Sequence, residues 1–249
     1  MLEFRNVTYT KDGRTILDNL SFPLAKGRFT VLLGRNGSGK TTLLRAINRE
    51  LAYRGEILID GTPTDRLPPR ERALRVSLLP QALPAIEMMV RELVSLGRLP
   101  HLALLSRMGA CDRAAVTRAL ALTEAEGLAD REVSTLSGGE RQRAFLAMAL
   151  AQEAPTLLLD EPTTYLDAEA RRLLLSLLRR LVDEEGKTVL AVLHDVNEAL
   201  RVADEILLLQ KGQLIFRGTP ADFAKQGHPE RELGLLHHPA ADGGLPFYY

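Results

Sequence analysis

An eight-residue segment near the N-terminus constrains the fold more than any other feature of this sequence. It reads Gly34-Arg35-Asn36-Gly37-Ser38-Gly39-Lys40-Thr41 and matches the pattern G-x-x-x-x-G-K-[ST] at every fixed position. A run of β-forming apolar residues, Phe29–Leu33, precedes it, and helix-forming residues follow from Gly39 or Lys40. Glycines here allow a tight turn whose N–H groups converge on one anion, and the following helix adds partial positive charge. The sequence therefore predicts a phosphate-binding loop between a buried strand and a helix.

Two side chains at the end of this loop indicate that the phosphate belongs to a nucleotide. Lys40 would reach the β- and γ-phosphates, and the Thr41 hydroxyl would hold Mg²⁺. A glycine-rich turn can arise by chance, but the flanking strand and helix are the context that the pattern requires. The loop residues assigned to nucleotide binding are Gly34, Asn36, Gly37, Ser38, Gly39, Lys40, Thr41 and Thr42.

A pair of carboxylates, Asp160 and Glu161, stands at the end of the apolar run Thr156–Asp160. Ligands of open α/β sheets bind at the carboxyl ends of the strands, which is where Asp160 would lie. Neighbouring side chains point in different directions, so we expect Asp160 to face Mg²⁺ and Glu161 to face a water molecule aligned on the γ-phosphate. An isolated acidic pair is often only a solvated turn, but the phosphate loop in the same chain favours the catalytic interpretation.

A second anion site is predicted at Ser137-Gly138-Gly139-Glu140, between the phosphate loop and the acidic pair in the sequence. Ser137 is a favourable helix N-cap. The two glycines leave backbone N–H groups accessible at the start of a helix that runs to about Ala151. The same four residues standing alone would indicate no more than a capped helix.

The order of strand-like and helix-like segments predicts an α/β fold. Continuous apolar strands alternate with helices in both halves of the chain, which indicates a mostly parallel sheet flanked by helices, after an N-terminal antiparallel β part. The central region has few β-branched residues and predicts helices at Val90–Leu96 and 111–124. We therefore expect one ATPase-like domain over 1–224 with a helical subdomain inserted at about 85–150. The tail over 225–249 carries no pattern that indicates a role.

Composition excludes several other classes of protein. Lys plus Arg and Asp plus Glu each total 32, so the chain has no cationic surplus for a nucleic acid partner. A single cysteine, Cys111, rules out a disulfide framework and a cysteine-based zinc site. The sequence has neither the layout of a signal peptide nor an apolar stretch of about 18 residues, so we expect an intracellular protein without a membrane span.

Taken in this order, the motifs resemble those of the nucleotide-binding subunit of an ATP-binding-cassette transporter. The resemblance covers about residues 2–221. It implies ATP and Mg²⁺ as cofactors and a head-to-tail dimer with two ATP molecules between the copies. It also implies that one motif completes the ATP site of the partner copy, namely Ser137, Gly138, Gly139 and Glu140.

The same resemblance assigns roles to four residues that would carry no signal alone. It implies that Tyr9 stacks on adenine and that Gln81 contacts Mg²⁺ and moves with the helical subdomain. Asp167 would belong to the loop that couples the two sites, and His194 would contact the γ-phosphate. The implied catalytic residues are Glu161, His194 and Lys40, and the implied Mg²⁺ ligands are Thr41, Gln81 and Asp160.

Within that family the chain resembles the ATPase of an importer, because no transmembrane domain is fused to it. This implies membrane permease subunits as partners, a substrate-binding protein as an indirect partner, and a peripheral position on the cytoplasmic face of the inner membrane. Three strings, 97–101, 137–152 and 161–167, are similar to the group that imports ferric siderophores, haem and vitamin B12. The string 137–152 favours ferric siderophores over cobalamin. Haem or cobalamin import, and a soluble ATPase that remodels a protein complex, are the alternatives.

Overall fold

The computed structural model describes residues 1–103, 106–238 and 245–249, and the elements named here lie within those ranges. The strands are β1 (Leu2–Lys11), β2 (Arg14–Leu24), β3 (Phe29–Leu33), β4 (Arg54–Ile59), β5 (Thr62–Pro63), β6 (Val76–Leu79), β7 (Thr156–Asp160), β8 (Thr188–Val192), β9 (Glu205–Gln210), β10 (Gln213–Gly218), β11 (His237–His238) and β12 (Phe247–Tyr248). The helices are α1 (Lys40–Ile47), α2 (Pro69–Ala73), α3 (Val90–Leu96), α4 (Ala110–Leu122), α5 (Gly138–Ala151), α6 (Ala168–Glu185), α7 (Val196–Val202) and α8 (Pro220–Lys225). Single helical turns lie at Leu99–His101, Glu126–Leu128, Val133–Thr135 and Pro229–Leu233.

The central sheet has six strands in the order β10-β9-β3-β8-β7-β6. Five of them are parallel, and β10 pairs antiparallel with β9 at one edge. The parallel strands are apolar at nearly every position because both faces of the sheet are buried. The order places β3, β8, β7 and β6 side by side, so their carboxyl ends share one edge of the sheet although they are distant in sequence.

Each face of this sheet packs into its own hydrophobic cluster. Alternate residues of a strand point to opposite faces, so Val31 of β3 joins the larger cluster while Leu32 joins the smaller one. The larger cluster also contains residues of α3 to α7, and the smaller one contains residues of α1 and the N-terminal strands. The predicted α/β class, with a mostly parallel sheet flanked by helices, is confirmed.

The N-terminal strands form a separate antiparallel sheet in the order β2-β1-β4-β5. Leu2 of β1 pairs with Leu24 of β2 on one side and with Ile59 of β4 on the other. β4 is followed by Asp60-Gly61, both with positive φ, which is the turn that this dipeptide predicts. The expected N-terminal antiparallel part is therefore present, and it covers the smaller cluster.

Three helices between β6 and β7 pack on one another, with α3 and α4 both in contact with α5. α3 has the predicted bounds, whereas α4 begins one residue before and ends two residues before the predicted range. α5 begins directly after Ser137, whose hydroxyl accepts a hydrogen bond from the Glu140 amide. The extent of the inserted subdomain, about 85–150, stays a prediction.

The described part of the tail is folded against the body of the protein. His228 is buried, with its ring 4.6 Å from that of Phe216 and 5.7 Å from that of Phe223. Beyond it, β11 and β12 form a small antiparallel hairpin. Burial lowers the pKa of His228 below its ordinary value, and the charge of Arg231 acts in the same direction.

The buried His228 predicts an acid-sensitive contribution to stability. Because its folded-state pKa lies below the ordinary value of 6.5, folding disfavours the charged ring. The stability that neutral His228 allows is therefore fully present above the pKa that it has in the unfolded chain. This stability is lost as the pH falls below that value and through the lower pKa of the folded protein. Urea unfolding at about pH 7.5 and about pH 5.5 should show a smaller pH effect in His228→Phe than in the wild type. Equal pH effects in the two proteins would contradict this expectation.

Candidate functional site

The predicted site residues follow the carboxyl ends of four neighbouring strands. The phosphate loop follows β3, His194 follows β8, Glu161 follows β7 and Gln81 follows β6. A cleft of about 1040 Å³ opens at this edge. Nine predicted site residues line it, namely Asn36, Gly37, Gly39, Lys40, Thr41, Thr42, Gln81, Glu161 and His194. The sheet topology thus gathers residues from four separate segments around one space.

Two loop glycines are required by the backbone and its surroundings. Gly34 has a φ of +152°, and a β-carbon there would lie 2.3 Å from the Leu209 carbonyl oxygen. Gly39 has a φ of +107°, and a β-carbon there would lie 2.8 Å from the Ile16 carbonyl oxygen. Any other residue would both clash with neighbouring backbone and strain its own. The pattern of glycines therefore follows from how closely the loop packs on β2 and β9.

Lys40 is the buried cation of the site, only 6% exposed. Its Nζ donates hydrogen bonds to the carbonyl oxygens of Gly34, at 2.8 Å, and Arg35, at 3.2 Å. Burial lowers the pKa of Lys40, and the nearby charges of Glu161 and Asp160 oppose that shift. The ammonium group is thus held inside the curve of the loop, next to the N-terminus of α1. An anion bound there would pair with the ammonium group and also accept hydrogen bonds from the N–H groups at the helix N-terminus.

Asp160 presents a carboxylate whose bonding is incomplete. The side chain is 3% exposed, and among the residues that the structure describes its Oδ1 has no hydrogen-bond partner. Burial raises the pKa of Asp160, while a hydrogen bond from Thr41 and the charge of Lys40 partly offset this. An unpaired buried carboxylate oxygen beside a threonine hydroxyl suits a hard cation such as Mg²⁺, which in nucleotide sites needs only one or two carboxylates besides the phosphates.

Glu161 lines the cleft and has a left-handed backbone. Its φ is +54°, in a region that residues other than glycine rarely adopt, and such strain is concentrated at functional sites. Its Oε1 lies 2.6 Å from Nε2 of His194, and its Oε2 accepts a hydrogen bond of 3.2 Å from Thr164. His194 remains half-exposed to the cleft. The acidic residue and the histidine therefore form one hydrogen-bonded pair above the phosphate loop.

The second predicted anion site stands apart from this cleft. Ser137 donates from its hydroxyl (2.8 Å) and its backbone N–H (2.9 Å) to Oε2 of Glu140, and Arg131 binds the other oxygen of that carboxylate. The Ser137 amide is the main reason that the pKa of Glu140 is lowered. Asp167 also lies outside the cleft wall and caps α6 by accepting from the Ala170 amide at 2.8 Å.

Tyr9 is the predicted residue that the structure places least clearly at the site. It packs, partly buried, against the smaller core cluster and is not part of the cleft wall. The wall on that side is formed instead by residues that the sequence did not single out, namely Lys11, Asp12, Arg14, Thr15, Ile16 and Lys211. Three of these are cations, which suits a phosphate-bearing ligand. The β1–β2 and β9–β10 turns bring them there, and only the tertiary fold shows it.

A phosphate loop, a buried carboxylate beside its threonine and a Glu–His pair above it define a nucleotide-hydrolysing site of the phosphate-loop class. A family model described as "ABC transporter" matches residues 17–164, which contain the loop, the second anion site and the acidic pair. This chain belongs to the ABC transporter family and is one of its ATPase subunits.

Relatives of this chain include ATPases of iron-compound importers. The ferric enterobactin transport ATP-binding protein FepC of Escherichia coli (strain K12) is 43% identical over 223 residues, which cover 89% of this chain and 82% of FepC. The hemin import ATP-binding protein HmuV of Plesiomonas shigelloides is 40% identical over 237 residues, 88% of either chain. A solved dimer of the ATP-binding cassette MJ0796, in a post-hydrolysis state bound to ADP and Pi, is 30% identical with a TM-score of 0.79 and covers 88% of this chain and 99% of its own. The resemblance drawn from the motifs is confirmed.

Proposed function

We propose that this chain is the ATP-hydrolysing subunit of an importer of ferric siderophores and works as a head-to-tail dimer bound to membrane permease subunits. The observation that carries the hydrolytic role is the Glu161–His194 pair, joined at 2.6 Å in the cleft that the phosphate loop lines. The likeness to FepC supports the siderophore as cargo, and the likeness to HmuV makes haem the leading alternative.

Different groups in the cleft have different roles in phosphoryl transfer. The loop amides and Lys40 bind the phosphates and stabilise the charge that develops on them. Glu161 orients and polarises the attacking water, a contribution typically of about 10²- to 10⁴-fold. His194 fixes the direction of the Glu161 carboxylate and can donate to a phosphate oxygen. Thr41, Asp160 and Gln81 would hold Mg²⁺, which neutralises phosphate charge when bound.

The position of Ser137 supports the dimer. In one chain its hydroxyl and amide are bonded to Glu140, and it does not line the cleft. A second copy packed head to tail would present Ser137, Gly138 and Gly139 to the γ-phosphate, with the N-terminus of α5 adding partial positive charge. The dimeric state of the MJ0796 cassette supports the same arrangement.

A permease partner and a peripheral position on the cytoplasmic face of the membrane complete the proposal. Within the described ranges, none of the helices has the length and apolar character needed to cross a bilayer. Two large apolar side chains of the helical region, Leu96 and Leu99, are 41% and 58% exposed. They lie in or next to the string 97–101, which resembles importers, and they offer an apolar surface for permease subunits.

Uptake of labelled ferric siderophore, haem and cobalamin in a deletion strain tests the proposal. Wild-type protein should restore siderophore uptake, and Glu161→Gln should not, because import requires hydrolysis. Restoration of haem or cobalamin uptake instead would keep the importer role and overturn the cargo. Normal uptake of all three compounds in the deletion strain would overturn the importer proposal and favour a soluble ATPase that remodels a protein complex.

A further inference from the structure

The C-terminal hairpin, formed by β11 and β12, is joined to α7 by a reciprocal pair of hydrogen bonds. Asn197 donates from Nδ2 to the carbonyl oxygen of Tyr248 at 2.8 Å. The Tyr248 backbone N–H donates to Oδ1 of Asn197, also at 2.8 Å. One side-chain amide thus satisfies both backbone groups of Tyr248, in the manner of a strand pairing. Asn197 lies three residues after His194 in sequence.

The hairpin is anchored rather than frayed at this point. Tyr248 is 3% exposed and its ring belongs to the larger core cluster, which also contains Val196 of α7. Burial and the neighbouring Glu230 raise the pKa of Tyr248 to about 12, so its hydroxyl stays neutral. Leu236 and Tyr249 exchange two backbone hydrogen bonds of 3.0 Å across the hairpin. The last residues of the chain are therefore fixed by both packing and hydrogen bonds.

The segment that leads to the hairpin is bonded to the central sheet. Gln210, at the end of β9, donates to Glu232 at 2.8 Å. A β-carbon on Gly234 would lie 3.4 Å from a guanidinium nitrogen of Arg35, a residue of the phosphate loop. The tail is therefore bonded to the end of β9 at one point and to the segment after His194 at another.

We infer that Asn197 is a positioning residue for ATP hydrolysis, which acts by tying the start of α7, and with it His194, to the backbone of Tyr248. α7 has only seven residues, so its orientation is set by contacts with its surroundings: the burial of Val196, Ala199, Leu200 and Val202, and the bonds of Asn197 to Tyr248. His194 in turn holds the Glu161 carboxylate at 2.6 Å. Release of the hairpin would let the histidine move away from Glu161 without disturbing the phosphate loop. This inference rests on the proposed roles of Glu161 and His194.

ATPase assays on four variants of the full chain test this inference. Asn197→Ala, and Asn197→Asp as a variant of the same size that loses the Nδ2–H donor, should lower kcat about tenfold, since small misplacements of reacting groups are costly. Removal of residues 245–249 should do the same. The affinity for a fluorescent ATP analogue should stay within about twofold of the wild type, because Lys40 and the loop are untouched. Phe247→Ala is the matched control, since its side chain is 60% exposed on the same hairpin, and it should keep wild-type kcat.

A double-mutant cycle with His194→Ala separates positioning from general structural damage. If Asn197 acts through His194, then Asn197→Ala should cause no further loss of kcat in the His194→Ala background. The inference would be overturned if the loss of kcat in the double variant were the product of the two single losses. It would also be overturned if ATP affinity fell as much as kcat. Normal kcat in the Asn197 variants, with a defect in His194→Ala, would overturn it and leave the proposed function standing. Normal kcat in His194→Ala would overturn the proposed role of His194 and this inference together.

Discussion

Replacing Glu161 by glutamine is expected to lower ATP turnover by about 10²- to 10⁴-fold while ATP binding and dimer formation survive. Glutamine keeps the size of the side chain and an oxygen that can accept from Nε2 of His194, so the pair at 2.6 Å is retained. It removes the basic carboxylate that we propose polarises the attacking water. It also removes a negative charge near Lys40 and the phosphates, which favours the bound state.

The measurements are steady-state ATPase activity, affinity for a fluorescent ATP analogue and size-exclusion chromatography with ATP. Glu184→Gln is a suitable control because it makes the same chemical change at an exposed position of α6, away from the cleft. The control should match the wild type in all three measurements. ATPase activity of Glu161→Gln above about a tenth of the wild-type rate would exclude Glu161 as the base, since general-base catalysis contributes at least 10²-fold.

The phosphate loop and the acidic strand end could be predicted because each is a local pattern. Apolar runs such as Phe29–Leu33 and Thr156–Asp160 are buried on both faces and have the bounds that the sequence indicates. The capping box at Ser137 is equally local, since serine and glutamate three residues apart satisfy each other. At these positions, propensity, pattern and tertiary structure agree.

The remaining features depend on contacts between segments far apart in the sequence. The order β3-β8-β7-β6, which brings Gln81 and His194 to one cleft, is not encoded in any single strand. The cationic wall at Lys11, Arg14 and Lys211 comes from two turns in different sheets. The tail was without an assigned role because its bonds to Asn197 span 51 residues. Long-range pairing of this kind has no periodicity for a sequence reading to detect.

The string 97–101, one of the three that resemble importers in sequence, contains a buried cation with three hydrogen-bond partners. Arg98 is 5% exposed. Its guanidinium donates to Asp112 of α4 at 3.1 Å, to Glu153 at 2.7 Å and to the carbonyl oxygen of Ala151 at the end of α5 at 2.8 Å. The Arg98 side chain therefore links its own segment to α4 and to the end of α5. It also gives a hydrogen-bond partner to the Ala151 carbonyl oxygen, one of the carbonyl groups at a helix C-terminus that have no partner within the helix.

We expect Arg98→Ala to lower the free energy of unfolding by about 1–3 kcal/mol, because the variant loses a buried side chain that bonds to three partners, while Glu153 is 43% exposed and can be solvated. The Ala151 carbonyl would lose its partner as well. Arg118→Ala is the matched control, since Arg118 pairs with Glu185 at 2.5 Å but its side chain is 53% exposed. It should cost less than about 1 kcal/mol. Urea unfolding of the two variants measures the difference directly.

The size of this effect bears on function because Arg98 precedes the exposed Leu99. None of the residues of the turn Leu99–His101 is buried, and Arg98 is one of its anchors, beside the bond from Arg70 to the Pro100 carbonyl oxygen and that between His101 and the Gln152 carbonyl oxygen, both 2.8 Å. The apolar surface that we propose for permease subunits depends in part on this anchor. Loss of the ion pairs should therefore reduce transport more than the ATPase activity of the isolated chain, whose cleft lies at the sheet edge. Equal stability of the two arginine variants would show that Asp112 and Glu153 are solvated well enough without Arg98. The apolar surface at Leu99 would then have to be held in place by other contacts.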